Sequence, residues 1–257
     1  MIDGLSIVYP MYNEKDNIRT AVSEALRVGL TITHDLEVVI VDDCSIDESG
    51  DIANDIAVAH PEVKVVHHVR NRGLGGAIRS GFDTATKQWV LYMDSDLPIK
   101  MDDVLQAIPL AEKSDIIIGW RKSRAESKKR EIISKVYNLM IRAFFNLYVR
   151  DVNFAFKLFK RSFLEKILLT SEGSFIDAEF LLEMKRVGAR FAEIGLDYYP
   201  RVAGVSTLAS NKVVFHILLE MLSYRLEACG KQTDGLSGKR KRLWLERVNQ
   251  RGNHIDI

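Results

Sequence analysis

Short apolar segments alternate with helical patterns over the first half of this 257-residue chain. The apolar run at residues 36–41 is almost unbroken, which is typical of a strand covered by helices on both faces. Residues 15–29 carry apolar side chains at helical spacing along one stripe and end in a glycine. This alternation predicts a three-layer α/β/α fold around a right-handed, mostly parallel sheet.

The same patterns predict elements along most of the chain. Further strands are expected at residues 5–9, 63–69, 89–93, 115–119, 154–159 and 191–199, and further helices at 101–113, 132–149, 175–187 and 212–228, with two more ending near 59 and 86. Residues 124–130 are basic without an apolar period, so we expect a loop there. The helix at 132–149 is apolar on two faces. We expect it to be buried; the alternative is that one face contacts a membrane or a partner.

Polar residues follow each of the first four predicted strands. They are Tyr12, Asn13 and Glu14 after the first strand, Asp42 and Asp43 after the second, Arg70 and Arg72 after the third, and Asp94 and Asp96 after the fourth. The carboxyl ends of parallel strands meet at one edge of a sheet, which is where ligands of such folds bind. Helix caps could explain one such cluster, but four in succession indicate a binding site.

Asp94 and Asp96 stand on either side of Ser95 at the end of a short apolar strand. Alternate side chains of an extended chain share a face, so both carboxylates can point at one spot. Two such charges repel unless a cation lies between them, and oxygen ligands suit Mg²⁺ or Mn²⁺. The alternative is a polar strand end followed by a helix cap.

The net charge of +1 conceals an asymmetry between the two halves of the chain. Residues 1–118 contain 10 Lys/Arg and 20 Asp/Glu, whereas residues 119–257 contain 26 and 15. An acidic half could hold a metal, and a basic half could hold phosphate or an anionic surface. The alternative is that the two halves neutralise each other.

Composition is that of an ordinary globular protein, with 47% hydrophobic and 28% charged residues. Cys44 and Cys229 form neither a disulfide framework nor a metal-ligand spacing, so a reducing compartment is expected. No start resembling a secretory leader and no uncharged apolar run of about 18 residues is present. We therefore expect a cytoplasmic protein without a nucleic-acid partner, with peripheral contact at the inner face of a membrane as a further option.

Several short motifs in a specific order resemble family 2 of the glycosyltransferases, with its A-type nucleotide-sugar fold and Rossmann-like nucleotide-binding half. They are Pro10-x-Tyr-Asn-Glu14, Val41-Asp-Asp-x-Ser-x-Asp47, Asn71-Arg-Gly-x-Gly75, Asp94-Ser-Asp-Leu97, Gly119-x-Arg121, Arg130-x-Ile-Ile-Ser134, Asp151-Val-x-x-x-Phe156-Lys157 and Arg201-x-x-Gly-x-Ser206. The resemblance covers about residues 5–208. Within the family, the chain is most similar to dolichyl- or polyprenyl-phosphate mannose and glucose synthases.

The resemblance implies that a GDP- or UDP-sugar binds at the strand ends and that its hexose is transferred with inversion. The implied nucleotide-sugar contacts are Pro10, Tyr12, Asn13, Glu14, Val41, Asp42, Asp43, Gly73, Asp94 and Ser95. Asp94 and Asp96 would hold Mg²⁺ or Mn²⁺, which stabilises the leaving nucleoside diphosphate. Asp96 is also an implied catalytic residue, together with Arg121, Arg130 and Arg201, which would meet phosphate on the donor or the acceptor.

The acceptor decides whether a general base is needed. A phosphate acceptor is already ionised at neutral pH, whereas a hydroxyl must lose a proton. Asp177 and Glu179 lie near the position of a catalytic carboxylate in other family members; alternatively, they are acids favoured in the first turn of a helix. We predict a polyprenyl or dolichyl phosphate acceptor, with a glycan or small-molecule hydroxyl as the alternative.

At three places the sequence differs from the lipid-phosphate synthases, and these differences concern the predicted acceptor and not the predicted enzyme class. Pro98 follows Leu97 where those enzymes have glutamine, and Asn153-Phe154-Ala155 replaces a Thr/Ser-Ser-Gly segment. Gly204-Val-Ser-Thr207 lacks their phosphate-binding lysine, for which Lys212 could substitute.

We expect one transferase domain at residues 1–228, divided into a nucleotide-sugar half (1–118) and an acceptor half (119–228), and a basic tail at 229–257. The competing class is a nucleotide-sugar-binding protein without activity. A dinucleotide oxidoreductase built on residues 73–76 is disfavoured, because its glycine fingerprint should follow the first strand and not the third.

Overall fold

The computed structural model describes residues 1–122 and 128–199, together with residues 220, 221 and 224. The chain divides into two compact units, Met1–Ala209 and Ser210–Ile257. The fold described below belongs to the first unit. The basic tail predicted at 229–257 lies outside the described residues, as does most of the helix predicted at 212–228.

Strands and helices alternate through the described part of the chain. The strands are β1 (Leu5–Met11), β2 (Leu36–Asp42), β3 (Val63–His67), β4 (Trp89–Met93), β5 (Ile116–Arg121), β6 (Phe156–Lys160) and β7 (Phe191–Leu196). The α-helices are α1 (Ile18–Ile32), α2 (Ser49–Ala59), α3 (Gly73–Thr84), α4 (Lys128–Phe145) and α5 (Ile176–Arg186). Apart from residues 101–113, the predicted order of strands and helices is therefore confirmed for the described elements.

The described strands form one seven-stranded sheet in the order β3-β2-β1-β4-β6-β5-β7. Every pairing is parallel except those of β6, which runs antiparallel to both β4 and β5. The prediction of a mostly parallel α/β sheet is confirmed. Because β6 is reversed, its first residue, Phe156, lies opposite Met93 at the carboxyl end of β4. The segment before β6 therefore reaches the same edge as the loops that follow the parallel strands.

Apolar side chains cover both faces of the central strands. On one face, Leu5, Ile7 and Tyr9 of β1 belong to the core cluster that includes α1. On the other face, rings of α3, β6 and α5 meet at Phe82, Phe159 and Phe180. Their centroids lie 4.7–5.3 Å apart in tilted and edge-on arrangements, which are the favoured geometries for aromatic pairs. The central strands are therefore buried on both faces.

The prediction of a single helix at residues 101–113 is wrong. Two short 3₁₀ helices, Met101–Gln106 and Ile108–Glu112, occupy this segment. Pro109 at the start of the second has no N–H to continue a helical ladder. The turns are instead closed by i to i−3 bonds, such as those from the amide N–H groups of Ala107 and Leu110.

α4 differs from its prediction in two respects. It begins at Lys128, so residues 128–130 are helical where a loop was expected. Burial on both faces is also wrong: Tyr137 and Ile141 are buried, whereas Leu139 is 64% exposed. In the part of the chain that the structure describes, no helix is both long enough and apolar enough to cross a bilayer.

Candidate functional site at the carboxyl edge of the sheet

The ends of β1 and β2 lie side by side. Pro10 pairs with Val41, and Met11 pairs with Asp42, in the parallel register of the two strands. Pro10 and Val41 are buried within their strands, whereas Tyr12 is 45% exposed just beyond the edge. The structure thus brings these sequence-predicted residues together, with the Tyr12 ring available at the surface.

Asn13 and Glu14 join the loop after β1 to the loop after β2. The backbone N–H of Asn13 donates to Ser45 Oγ at 3.0 Å, and the side-chain Oδ1 of Asn13 accepts from the Ile46 N–H at 2.9 Å. The Glu14 N–H donates to Ser49 Oγ at 2.7 Å. Both residues lie where the sequence placed them, and their described bonds connect the two loops.

Asp42 forms one wall of an open cleft of about 420 Å³ between β2, β3 and the start of α2. Its Oδ1 accepts from the Ser45 N–H at 2.9 Å, and its Oδ2 lies 2.9 Å from His67 Nδ1. Asp47 and Asn54 also line the cleft. The cleft is therefore polar, with three carboxylates among its seven lining residues.

Asp43 is buried and joins three segments of the edge. Its N–H donates to the Met11 carbonyl at 2.9 Å. Its Oδ1 accepts from the Arg72 N–H at 2.8 Å and lies 2.6 Å from His68 Nδ1. His68 Nε2 lies 2.8 Å from Ser80 Oγ on α3. His68 was not predicted from the sequence, although the pairing of Asp42 with His67 makes it the neighbour of Asp43.

The Asn71-Arg-Gly turn fits around Asp43. The Asn71 side-chain amide donates to the Asp43 carbonyl at 3.2 Å, while its Oδ1 accepts from the Gly73 N–H at 3.1 Å. Gly73 has a φ of 72°, in the left-handed region that favours glycine. The turn is thus a support for Asp43, and Gly73 supplies its backbone shape.

Asp94 and Asp96 follow β4 on either side of Ser95. Ser95 is buried, and its hydroxyl donates to the Pro10 carbonyl at 3.3 Å, which ties this loop to β1. Burial raises the pKa of the Tyr92 hydroxyl well above its usual value, and the charges of Asp94 and Asp96 add to the rise. Ser95 and Asp96 form a turn beyond the end of β4, so the extended chain expected at this pair is not observed, and the shared direction of the two carboxylates stays a prediction.

The chemistry of this pair fits a hard divalent cation. Among the described residues, no group of three or more His, Cys, Asp or Glu side chains could enclose a metal. Two carboxylates suit Mg²⁺ or Mn²⁺, which keep positions for water and for phosphate oxygens. Asp94 and Asp96 stay the predicted ligands of such an ion.

Strained backbone is concentrated at this edge. Asn13, Cys44 and Leu97 have φ values of 56°, 64° and 51°, and they follow β1, β2 and β4 respectively. A side chain in this left-handed region costs about 1–3 kcal/mol and persists only where the surroundings enforce it. Neither Cys44 nor Leu97 is a residue type that predicts this conformation, so the sequence did not reveal the strain.

Lys157 and Asp177 form a buried ion pair behind β4. Lys157 Nζ donates to the Asp177 carboxylate and, at 3.0 Å, to the Phe154 carbonyl. It also lies 5.2 Å from the centroid of the Tyr92 ring. Burial raises the pKa of Asp177, and the charge of Lys157 opposes that rise. The sequence singled out Asp177 as a candidate base, but the structure places it in this pair.

Glu179 is fully buried on α5 and bound to a neighbouring loop. Its carboxylate accepts from the Thr170 N–H at 3.0 Å, the Thr170 hydroxyl at 2.8 Å and the Ser171 N–H at 2.8 Å. These contacts from two consecutive residues hold the carboxylate in a fixed position. This environment suits an anchor for the loop better than a base that exchanges protons with a substrate.

Arg121 lies at the end of β5, paired with Asp151. Its Nε and Nη2 donate to the two carboxylate oxygens at 2.7 and 3.0 Å, a bidentate arrangement. The Phe154 and Tyr198 rings lie 5.6 and 5.5 Å from the guanidinium carbon. A phosphate bound by Arg121 would share the guanidinium group with Asp151. The side chain of Arg130, and all of Arg201, lie outside the described residues.

The sheet order and the polar edge define an α/β fold of the A-type nucleotide-sugar class. The chain belongs to glycosyl transferase family 2, whose family model matches residues 6–168. The family resemblance seen in the motifs is thereby confirmed.

Curated relatives include three transferases. The chain is 27% identical over 228 residues to dodecaprenyl-phosphate galacturonate synthase of Rhizobium johnstonii, covering 85% of this chain and 65% of the relative. It is 30% identical over 176 residues to undecaprenyl-phosphate 4-deoxy-4-formamido-L-arabinose transferase of Pseudomonas fluorescens, covering 67% and 52%. It is 28% identical over 208 residues to glycosyltransferase AglD of Haloferax volcanii, covering 77% and 33%. The chain thus spans between about a third and two thirds of these relatives.

Solved structures confirm the fold. Glucosyl-3-phosphoglycerate synthase from Mycobacterium tuberculosis, in complex with UDP, matches with a TM-score of 0.66 at 18% identity, covering 87% of this chain and 80% of that one. Mannosyl-3-phosphoglycerate synthase from Rubrobacter xylanophilus matches with a TM-score of 0.65 at 17% identity, covering 91% and 78%.

Proposed function

We propose that this chain transfers a hexose from a nucleoside-diphosphate sugar to polyprenyl phosphate, with inversion at the anomeric carbon. The proposal of a phosphate acceptor rests on the surroundings of Asp177 and Glu179, the two candidate general bases. Asp177 is buried against Lys157, and Glu179 is buried against the Thr170 and Ser171 N–H groups. A phosphate acceptor needs no base, because it is already ionised at neutral pH.

The names of relatives support this acceptor class. Two of the curated relatives are named as transferases that use dodecaprenyl or undecaprenyl phosphate. Because the sequence differs from the lipid-phosphate synthases at Pro98 and at residues 153–155, the acceptor requires the direct test described below. Transfer to such a carrier would place the protein in cell-envelope biosynthesis.

The donor would occupy the carboxyl edge of β1, β2 and β4. Asp43, fixed by its bonds to Arg72 and His68, presents a carboxylate suited to ring N–H groups or ribose hydroxyls. The exposed ring of Tyr12 suits stacking on a base. A related fold holds Mn²⁺ with UDP-glucose, which supports a uridine donor; guanosine remains the second donor to test.

The reaction is one displacement at the anomeric carbon. A phosphate oxygen of the acceptor forms the new C1–O bond as the bond to the nucleoside diphosphate breaks, and no proton is transferred. A divalent cation held by Asp94 and Asp96 would supply charge stabilisation for the departing diphosphate. The chain itself orients both substrates at one edge, since the segment before β6 reaches the ends of β1 and β4.

The acceptor is tested with a matched pair of lipids. We expect labelled UDP-sugar or GDP-sugar, supplied with Mn²⁺ or Mg²⁺, to give a product that partitions into organic solvent with polyprenyl phosphate. Polyprenol of the same length, which carries a hydroxyl in place of the phosphate, should give at least about 100-fold less product, because Asp177 and Glu179 are both engaged by other groups of the protein. Equal transfer to polyprenol, or label found only on water-soluble sugars, would reject the phosphate acceptor. Absence of any donor hydrolysis or transfer would favour a silent nucleotide-sugar-binding protein.

An exposed face of α4 supports a contact with an anionic membrane at its cytoplasmic side. Apolar side chains on and just after this helix are exposed, namely Val136, Leu139, Phe144 and Tyr148. Lys135 is 67% exposed beside them, and the exposed Arg142 lies 5.4 Å from the Tyr148 ring. Apolar side chains flanked by cations are the combination that binds at the surface of anionic bilayers.

This contact is tested with Leu139→Glu. The substitution removes an exposed apolar group and adds a negative charge, so binding to vesicles of phosphatidylglycerol and phosphatidylcholine should weaken about tenfold in a sedimentation assay. The matched control is Val58→Glu, which makes a similar change at an exposed position on α2 and should leave binding unchanged. If Leu139→Glu binds like the unmodified protein, or if both variants lose binding equally, α4 is not the contact.

A further inference from the structure

The loop at residues 170–172 packs directly on the glycine-rich turn that starts α3. The Gly75 N–H donates to the Glu172 carbonyl at 2.9 Å. A Cβ on Gly75 would lie 2.2 Å from the Ser171 carbonyl oxygen, and one on Gly73 would lie 2.6 Å from that of Glu172. Backbone of this loop therefore fills the space that side chains at both glycines would need.

Glu179 holds that loop in place from the interior. It is fully buried, and its carboxylate binds the backbone N–H groups of Thr170 and Ser171 as well as the Thr170 hydroxyl. Arg79 of α3 donates to the Glu172 carboxylate at 3.2 Å from the outer side. The loop is thus bonded to α5 on one side and to α3 on the other.

The glycine-rich turn in turn fixes Asp43. The Arg72 N–H donates to Asp43 Oδ1 at 2.8 Å, and the Asn71 side chain donates to the Asp43 carbonyl at 3.2 Å. Hydrogen bonds, linked by short backbone segments of the loop and the turn, therefore connect Glu179 to Asp43. They join the acidic nucleotide half of the chain to the basic half.

We propose that Glu179 is a positioning residue for donor binding, acting through the loop at 170–172 on the glycine-rich turn and Asp43. This inference rests on the proposed function, in which Asp43 contacts the nucleotide. It differs from a role as general base, since a base acts on the acceptor after the donor is bound. A positioning role predicts weaker donor binding when Glu179 is changed, whereas a general-base role predicts unchanged donor binding.

The test compares Glu179→Gln with Glu183→Gln. Glutamine keeps the size of the side chain but turns an amide N–H₂ toward the backbone donors of the loop. Glu183 is an equally buried carboxylate one turn along α5, and it accepts hydrogen bonds from Arg186 at 3.0 and 2.8 Å. Hydrogen exchange should become faster at residues 71–76 in Glu179→Gln and stay unchanged there in Glu183→Gln.

Donor affinity gives the second readout. With Mn²⁺ present and no acceptor, calorimetry with whichever of UDP and GDP binds the unmodified protein should show binding about tenfold weaker in Glu179→Gln. The value of kcat at saturating donor should stay within about twofold. Unchanged exchange at 71–76, or unchanged affinity with a large fall in kcat, would overturn the proposal.

Two further results keep the test decisive. If Glu179→Gln does not fold, Gly75→Ala disturbs the same contact from the opposite side without touching a buried charge, and it should show the same gain in exchange and loss of affinity. If neither nucleotide binds the unmodified protein, the proposed function fails. The exchange experiment then still decides whether Glu179 positions the turn.

Discussion

Asp96→Asn should lower the rate of sugar transfer at least about 100-fold while leaving the fold intact. Asparagine has the shape of aspartate but no charge, so the pair with Asp94 would hold a divalent cation far more weakly. Loss of one electrostatic contact at a leaving group costs about 100- to 1,000-fold in comparable sites. The assay is initial rate with labelled donor over a range of Mn²⁺ concentrations, and Asp94→Asn should behave in the same way.

Thermal unfolding separates this effect from misfolding. Removing one of two neighbouring like charges relieves repulsion in the cation-free protein, so the melting temperature of Asp96→Asn should be equal or higher. Added Mn²⁺ should raise the melting temperature of the unmodified protein and have little effect on the variant. Asp102→Asn is the control, because Asp102 is an exposed carboxylate paired with Arg27 near the same segment. Retention of a metal-dependent rate in Asp96→Asn would show that the cation is held elsewhere.

Lys157→Met should destabilise the fold by about 3–5 kcal/mol, the largest stability change that we expect in this molecule. The substitution leaves the buried Asp177 carboxylate without its cation. Urea unfolding measures the loss. Lys160→Met is the matched control on the same strand: Lys160 is 32% exposed and pairs with Asp115, so its loss should cost only about 1 kcal/mol.

The pH dependence of this loss has a defined sign. Burial raises the pKa of Asp177, and removing Lys157 should raise it further. A carboxyl whose pKa is higher in the folded state binds more protons there than in the unfolded state, so stability falls as pH rises. The difference between Lys157→Met and the unmodified protein should therefore shrink in acid and grow toward neutral pH. The double variant with Asp177→Asn should recover about 2 kcal/mol, and failure to recover any would show that the two side chains are not coupled.

Local patterns were sufficient to predict most of the sheet and the location of the candidate site. β2 and β4 are short apolar runs with polar ends, and such runs indicate buried parallel strands without further information. Because parallel strands end at one edge, the order of strands and helices was enough to predict that Asp43, Asp94 and Asp96 follow strands on either side of β1. No long-range contact had to be known.

The features that were missed depend on residues far apart in the chain. From the sequence alone, a lysine within an apolar strand is expected to face outward. Lys157 is buried because Asp177 faces it from α5. Glu179 reads as a first-turn acid, and the loop donors that bind it come from residues 170–171. The reversal of β6 also has no local signal, since an apolar pentapeptide looks the same in either direction. The exposed face of α4 was misjudged because apolar residues alone do not show what covers them.

The reversed strand also limits how the protein can be divided. In the described sheet, β5 pairs with β6 and β7 and has no bond to β4. A cut at the charge boundary, residue 118, would split β5, leave its first half without a neighbouring strand, and leave one edge of β4 bare. A new acceptor half can be grafted onto this donor half only if β6 stays with the donor half. Such swaps should therefore follow the order of strands in the sheet and not the linear order of the chain.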